Sequence, residues 1–133
     1  MRKQVFITLL FSIFFLSALK AGANGPQFKF ANTRLDFGTV YTDQLPDNKI
    51  KIEFTNTGDA PLILSQVRAC CGTKVESWPS EPILPGEKGE INIEIRLVPR
   101  PQRISRTVIV SSNDPKNPTS IFRIMGEVVE KAQ

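Results

Sequence analysis

The chain has 133 residues, with 17 Lys and Arg against 13 Asp and Glu, two cysteines and no histidine. The absence of histidine excludes nucleophilic catalysis by a cysteine–histidine pair, and two cysteines alone cannot supply the four ligands of a closed zinc site. The basic residues are scattered among acidic ones, so the charge pattern gives no sign of a nucleic-acid-binding surface.

The first 23 residues have the layout of a secretory signal peptide. A basic start, an apolar run and small residues follow one another in the order Arg2 and Lys3, Val5 to Leu19, Ala21 and Ala23. The apolar run is shorter than the roughly 20 residues that a membrane-spanning helix needs, and no cysteine stands near residue 24 to carry a lipid. The sequence therefore predicts export and cleavage after Ala23, with an uncleaved anchor as the alternative.

Cleavage leaves residues 24–133 as the mature chain. Removing Arg2, Lys3 and Lys20 leaves 14 basic against 13 acidic residues, so the mature chain is nearly neutral. The remaining 110 of the 133 residues are enough for one hydrophobic core but not for two. We expect a single domain.

Two segments alternate strictly between apolar and polar residues. They are "KIKIEF" at residues 49–54 and "EINIEIRL" at residues 90–97. Such alternation is typical of a strand with one face in the core, because successive side chains of a strand point to opposite faces. A helix would distribute the same apolar residues around its circumference.

Four further segments are rich in β-branched and aromatic residues and predict strands. They are "RLDFGTV" at 34–40, "PLILSQV" at 61–67, "ISRTVIV" at 104–110 and "SIFRIMGEVV" at 120–129. Turn-forming groups such as "NTGD", "LPGEKG" and "NDPKNP" separate the predicted strands.

Six to eight short strands with frequent turns predict an all-β fold, a single immunoglobulin-like β-sandwich of about seven strands, with a barrel as the alternative. Adjacent cysteines cannot form the disulfide that joins the two sheets in many such domains, because the sheets lie about 10 Å apart. We therefore expect the core to consist of the aliphatic faces together with phenylalanines such as Phe37, Phe54 and Phe122.

Six short motifs in this order resemble a known family. They are "LDFGTV", "FTNTGDAPLIL", "CCGTKV", "PGEKGEI", "SSNDP" and "IMGEV", within residues 28–128. The chain is similar to the DUF1573 family, whose members resemble PapD-like and related immunoglobulin-type domains. The resemblance implies a secreted or periplasmic seven-stranded sandwich of unassigned function.

One motif departs from the family pattern. Members commonly carry Cys-Gly-Cys after the third strand, whereas here Cys70 matches the first cysteine, Gly72 takes the place of the second, and Cys71 lies between them. A role that depends on two cysteines separated by one residue does not transfer to this chain.

Cys70 and Cys71 are the candidate site, and three interpretations remain open. The pair could form a vicinal disulfide, which would be strained because adjacent Cα atoms are about 3.8 Å apart, below the usual range of about 4.4 to 6.8 Å. Two thiolates could hold a soft ion such as Cu(I), and Arg68 or Lys74 could stabilise a thiolate. In the third interpretation one cysteine is buried and the other lies in a turn.

Three other features have weaker functional interpretations. Trp78 could stack on a ligand, but a lone tryptophan in a proline-rich loop more often fixes the loop to the core. Residues 99–103, "PRPQR", could be an extended recognition segment, but we expect a solvated bend between two strands. Asp36 could be a polar ligand, although the "LDFG" context favours an ordinary strand end.

The sequence contains no Gly-rich phosphate loop and no Gly-x-Ser-x-Gly elbow, so we expect no enzyme and no cofactor. The main hypothesis is a non-catalytic secreted or periplasmic module that binds a protein partner in the cell envelope, through sheet faces, loops or an exposed sheet edge. The alternative is a small thiol-redox or copper-handling protein that uses Cys70 and Cys71.

The signal-peptide prediction has a direct test. Cleavage after Ala23 would give an exported protein that begins at Asn24. Intact-mass measurement of the exported protein distinguishes this product from the full chain. A mature species that retains residues 1–23 would support a membrane-anchored protein instead.

Overall fold

The computed structural model describes residues 25–131, so the predicted signal peptide of residues 1–23 lies outside the described residues. This part of the chain forms eight strands. It contains no helix long and apolar enough to cross a membrane. The strands are β1 (Phe28–Phe30), β2 (Arg34–Tyr41), β3 (Lys49–Asn56), β4 (Leu64–Ala69), β5 (Thr73–Ser77), β6 (Lys88–Ile95), β7 (Gln102–Ser112) and β8 (Thr119–Val129).

The strands form two four-stranded sheets. The first sheet has the order β1-β3-β6-β5 and the second has the order β2-β8-β7-β4. All neighbouring strands are antiparallel except β2 and β8, which are parallel. Five sequence-adjacent pairs of strands lie in different sheets, as in immunoglobulin domains. The predicted all-β immunoglobulin-like sandwich is confirmed.

The core lies between the sheets and follows the alternation that the sequence shows. In the first sheet Ile50 pairs with Ile93 and Ile52 pairs with Ile91, and all four side chains are buried. The second sheet contributes buried aliphatic and aromatic side chains from β7 and β8: Ile104, Val108, Val110, Phe122, Ile124 and Val128. Burial of these apolar faces is the main favourable contribution to folding.

The strand β1 is absent from the sequence-based prediction because three residues are too few to show a period. Its side chains Phe28 and Phe30 are buried nevertheless. The Phe28 ring stacks on Phe54 with centroids 4.8 Å apart, and Phe30 contacts Phe122 at 5.6 Å. The ring of Phe54 lies against Gly89, where any Cβ would collide with it. Phe37, which the sequence also placed in the core, is half-buried and packs against the edge of the core.

The strand β5 was also missed, because its pairing with β6 shifts between Val75 and Ser77 and the shift interrupts the alternation. The strand β4 begins three residues later than predicted. Leu62, within the predicted segment, instead forms an isolated bridge with Ile83.

Asn56 is a buried polar residue that joins the segments at Gln27, Gly58–Ala60 and Ile83 at one end of the sandwich. Its side-chain amide donates to the carbonyls of Ala60 and Ile83 at 2.8 and 2.9 Å. Its side-chain oxygen accepts the Gly58 N–H at 2.9 Å. These bonds satisfy an amide that would otherwise be costly to bury.

Asp114 has a similar role at the β7–β8 connection. It is 2% exposed, and its carboxylate accepts backbone N–H groups of Phe28, Lys116 and Asn117 at 3.0, 2.9 and 3.2 Å. Burial raises the pKa of Asp114, but these three donors stabilise the carboxylate more, so its pKa lies below the ordinary value.

The register of β6 can be tested with neighbouring residues. Ile93 is fully buried, so we expect Ile93→Ala to lower the free energy of unfolding by about 2 to 5 kcal/mol. Asn92 is the control, because its side chain faces away from the core and donates to Ser77 Oγ at 2.9 Å. We expect Asn92→Ala to lower stability by under about 1 kcal/mol in chemical denaturation. Equal losses would contradict the register.

The lowered pKa of Asp114 predicts acid sensitivity. A folded-state pKa below the unfolded value of 3.8 contributes stability that is complete above 3.8 and is lost as the pH falls through the folded pKa. Denaturation measured between about pH 7 and about pH 3 should therefore show a smaller loss of stability at low pH for Asp114→Asn than for the parent. Identical pH profiles would argue against this role of the carboxylate.

Candidate functional site

Cys70 and Cys71 lie where the chain crosses between the sheets. β4 is an edge strand of the second sheet, β5 is an edge strand of the first, and Cys70–Gly72 connect them. The N–H of Cys70 donates to the Thr107 carbonyl at 3.3 Å, which fixes the start of the crossover to β7. The Arg96 N–H donates to the Gly72 carbonyl at 2.8 Å, which fixes its end near β6.

The turn places the two thiols side by side. Cys71 has a φ of 62° and Gly72 a φ of 75°, so two successive residues adopt the left-handed conformation. Glycine adopts this conformation readily, whereas it is uncommon for a residue with a Cβ. Each of the two thiols acts on the pKa of the other. In an extended strand two successive side chains would point in opposite directions.

Both cysteines are exposed and are free thiols in the structure. The interpretation in which one cysteine is buried is therefore wrong. The reason is topological, because β4 and β5 are edge strands and their connection runs along the rim of the sandwich rather than through its core. The two thiols are open to reagents and to ligands.

The surroundings shift the pKa values of the two thiols in opposite directions. The hydrogen bond from the Cys71 thiol lowers the pKa of Cys70, and the backbone N–H of Thr107 and the positive charge of Arg106 act in the same direction. The pKa of Cys71 is raised, chiefly because its proton is held in the hydrogen bond to Cys70. Of the two thiols, Cys70 is therefore the more readily deprotonated.

Arg106 is the cation that acts on the thiols, rather than the predicted Arg68 or Lys74. Arg68 pairs with Ile109, and Lys74 pairs with Glu94, both on outer faces of their sheets. Arg106 pairs with the fully buried Ile124, so it lies on the inner face of β7.

The sequence contains a signal for Arg106 that was overlooked. In "ISRTVIV" it stands in phase with the buried Ile104, Val108 and Val110, where a charge is unusual. The Arg106 Nε is buried and has no hydrogen-bond partner among the described residues. One terminal nitrogen of the guanidinium donates to the Ser105 carbonyl at 3.2 Å.

A groove adjoins the crossover. It has a volume of about 640 Å³ and lies between the β2–β3 loop, the start of β5 and the end of β6. The lining residues are the apolar Leu45, Pro46, Ile95 and Leu97, the charged Asp47, Lys74, Glu94 and Arg96, and Asn48, Gly72 and Thr73. Thr73 Oγ1 is buried, with no hydrogen-bond partner in the described part of the chain. Gly72 and Thr73 join the groove to the cysteines.

The other predicted features have structural roles. Trp78 is half-buried and packs against the core, as expected of a residue that fixes a loop. The Asp36 carboxylate accepts the Gly38 N–H at 2.8 Å and stabilises a turn inside β2. Residues 99–101 form an exposed bend, and β7 begins at Gln102.

The exposed sulfur groups of the described chain are the thiols of Cys70 and Cys71. No group of three or more His, Cys, Asp and Glu side chains that could hold a metal occurs among residues 25–131. A metal at the crossover would therefore have Cys70 and Cys71 as its ligands from the described chain, which suits soft ions of low coordination number.

Several solved structures share this fold. A protein of unknown function from Porphyromonas gingivalis is 22% identical with a TM-score of 0.62, over 79% of this chain and 48% of that one. A PapD-like (ASH) domain of human CEP192 is 13% identical with a TM-score of 0.52, over 79% of this chain and 87% of that one. The YadV chaperone is 15% identical with a TM-score of 0.51, over 79% of this chain and 52% of that one.

At these identities the likeness shows the fold alone, and the fold is that of a PapD-like sandwich. The chain spans about half the length of the Porphyromonas protein and of YadV. No curated protein matches the sequence. The family model described as a protein of unknown function (DUF1573) matches residues 28–128, and the chain therefore belongs to the DUF1573 family.

Proposed function

We propose that the mature protein is a non-catalytic binding or assembly module of the cell envelope, and that the groove beside the crossover receives an extended segment of a protein partner. The observation that carries this proposal is the groove itself, with a volume of about 640 Å³. Binding sites are concave, and combine apolar surface for affinity with a few polar groups for orientation.

The composition of the groove fits a peptide with mixed side chains. Leu45, Pro46 and Leu97 provide apolar contact area. Asp47 and Glu94 offer negative charge, and Lys74 and Arg96 offer positive charge. With both signs present, the groove can orient a segment of partner chain without favouring a strongly charged one.

The sheet edges are less suited to a partner that adds a strand. The pairing of each longer edge strand is interrupted, at Asp36–Thr39 in β2, at Leu64–Gln66 in β4 and at Val75–Ser77 in β5. The remaining edge strand, β1, has three residues. Bulges and short edges are features by which proteins prevent strand addition. Of the expected binding modes, the structure favours the loops and groove over the edges.

The fold and the N-terminal segment support a partner outside the cytoplasm. One protein with this fold, YadV, is described as a chaperone. Residues 1–23 of this chain have the composition of a signal peptide. Both observations agree with a protein partner in the cell envelope.

The alternative is a small thiol-redox or soft-metal protein that uses Cys70 and Cys71. The exposure of both thiols, their hydrogen bond and the nearby charge of Arg106 favour it. The two functions are compatible, because Gly72 belongs both to the crossover and to the groove.

Site-specific photo-crosslinking in the native envelope tests the groove. A photoreactive residue at the exposed, groove-lining Arg96 should yield one defined protein adduct. The matched control is Arg123, an equally exposed arginine on β8 of the other sheet, which should yield none. Adducts from Arg123 but not Arg96, or the same set from both, would refute the groove as the binding site.

A further inference from the structure

The crossover contains a left-handed residue that is not glycine, namely Cys71. Gly72 alone would suit this conformation, but Cys71 also adopts it, with a φ of 62°. Unusual backbone conformations of this kind concentrate at functional sites. The consequence here is specific, because the turn holds two adjacent cysteines on the exposed rim of the sandwich. The two sulfurs are therefore available together as ligands.

Adjacency also makes a disulfide between the two thiols strained. A disulfide between neighbouring residues must span Cα atoms about 3.8 Å apart, below the usual range of about 4.4 to 6.8 Å. Strained disulfides are reduced more easily than relaxed ones. A disulfide between Cys70 and Cys71 would therefore return to two thiols more easily than one between well-spaced cysteines.

The charge near the thiols selects among the soft ions. Two thiolates carry two negative charges, and Arg106, next to the Thr107 whose carbonyl accepts the Cys70 N–H, carries one positive charge. A monovalent soft cation brings the net charge of the complex to zero. A divalent ion would leave one net positive charge. The Arg106 Nε, buried and without a partner among residues 25–131, is consistent with an anionic group beside it.

We propose that Cys70 and Cys71 form a two-thiolate site for Cu(I), with Arg106 as the residue that balances the charge of the complex. Cu(I) is the monovalent first-row ion that prefers thiolate ligands. Binding releases the protons of both thiols to solvent and transfers no electron, so copper must arrive already reduced. Since both sulfurs are exposed, a ligand from another molecule can reach the metal and exchange it.

Competition with a coloured Cu(I) chelator, bicinchoninate, tests the site under anaerobic conditions. The purified protein should withdraw one Cu(I) per chain, and X-ray absorption should show two sulfur ligands from the chain. Cys70→Ser and Cys71→Ser should each reduce the affinity at least about 100-fold, because one thiolate cannot chelate. Circular dichroism of each variant confirms that it is folded.

The role of Arg106 is tested by two further variants. Arg106→Met should weaken Cu(I) binding about tenfold, and Arg106→Lys should restore most of it because the charge remains. Arg68→Met is the matched control, since Arg68 lies on the outer face beside the same crossover, and it should bind as the parent does. No Cu(I) uptake by the parent, or uptake unchanged in either cysteine variant, would overturn the site. Equal effects of Arg106→Met and Arg68→Met would overturn the charge assignment.

Discussion

The thickness of the sandwich is the constraint from which the site follows. Two sheets that bury their inner faces against each other lie about 10 Å apart, and the chain passes from one to the other between β4 and β5 in three residues. Such a short connection must turn sharply, and the left-handed residues Cys71 and Gly72 provide the turn. The same turn carries the two adjacent cysteines on the exposed rim of the sandwich. The arrangement of the thiols is therefore a consequence of how the sheets are joined.

The pairing of β4 with β7 determines the environment of the pair. Ala69 lies opposite Val108, so the next residue, Cys70, comes beside Thr107 and Arg106. Because Arg106 stands on the inner face of β7, its charge acts on the crossover from between the sheets. On the other side of the crossover, Gly72 and Thr73 border the groove. A partner segment in the groove and an ion on the thiols would thus be neighbours.

The sequence predicted those strands in which apolar and polar residues alternate over a long enough segment. β3 and β6 show it over six or more residues, and their isoleucines are buried as expected. The sequence did not predict β1, which has only three residues, or β5, which contains a bulge. Local sequence suggested Arg68 and Lys74 as partners of the thiols, whereas Arg106, 36 positions beyond Cys70, reaches them through strand pairing. The groove combines three separate segments, so no short motif could have indicated it.

The crossover presents two adjacent, exposed and reduced thiols. The most direct measurement is a thiol count on protein isolated from the envelope without reductant, denatured in the presence of a Cu(I) chelator so that bound copper does not mask the sulfurs. The structure predicts two reactive thiols per chain before any reductant is added. A count near zero that rises to two only after reduction would show a disulfide instead, and would contradict the account of Cys70 and Cys71 as an available pair.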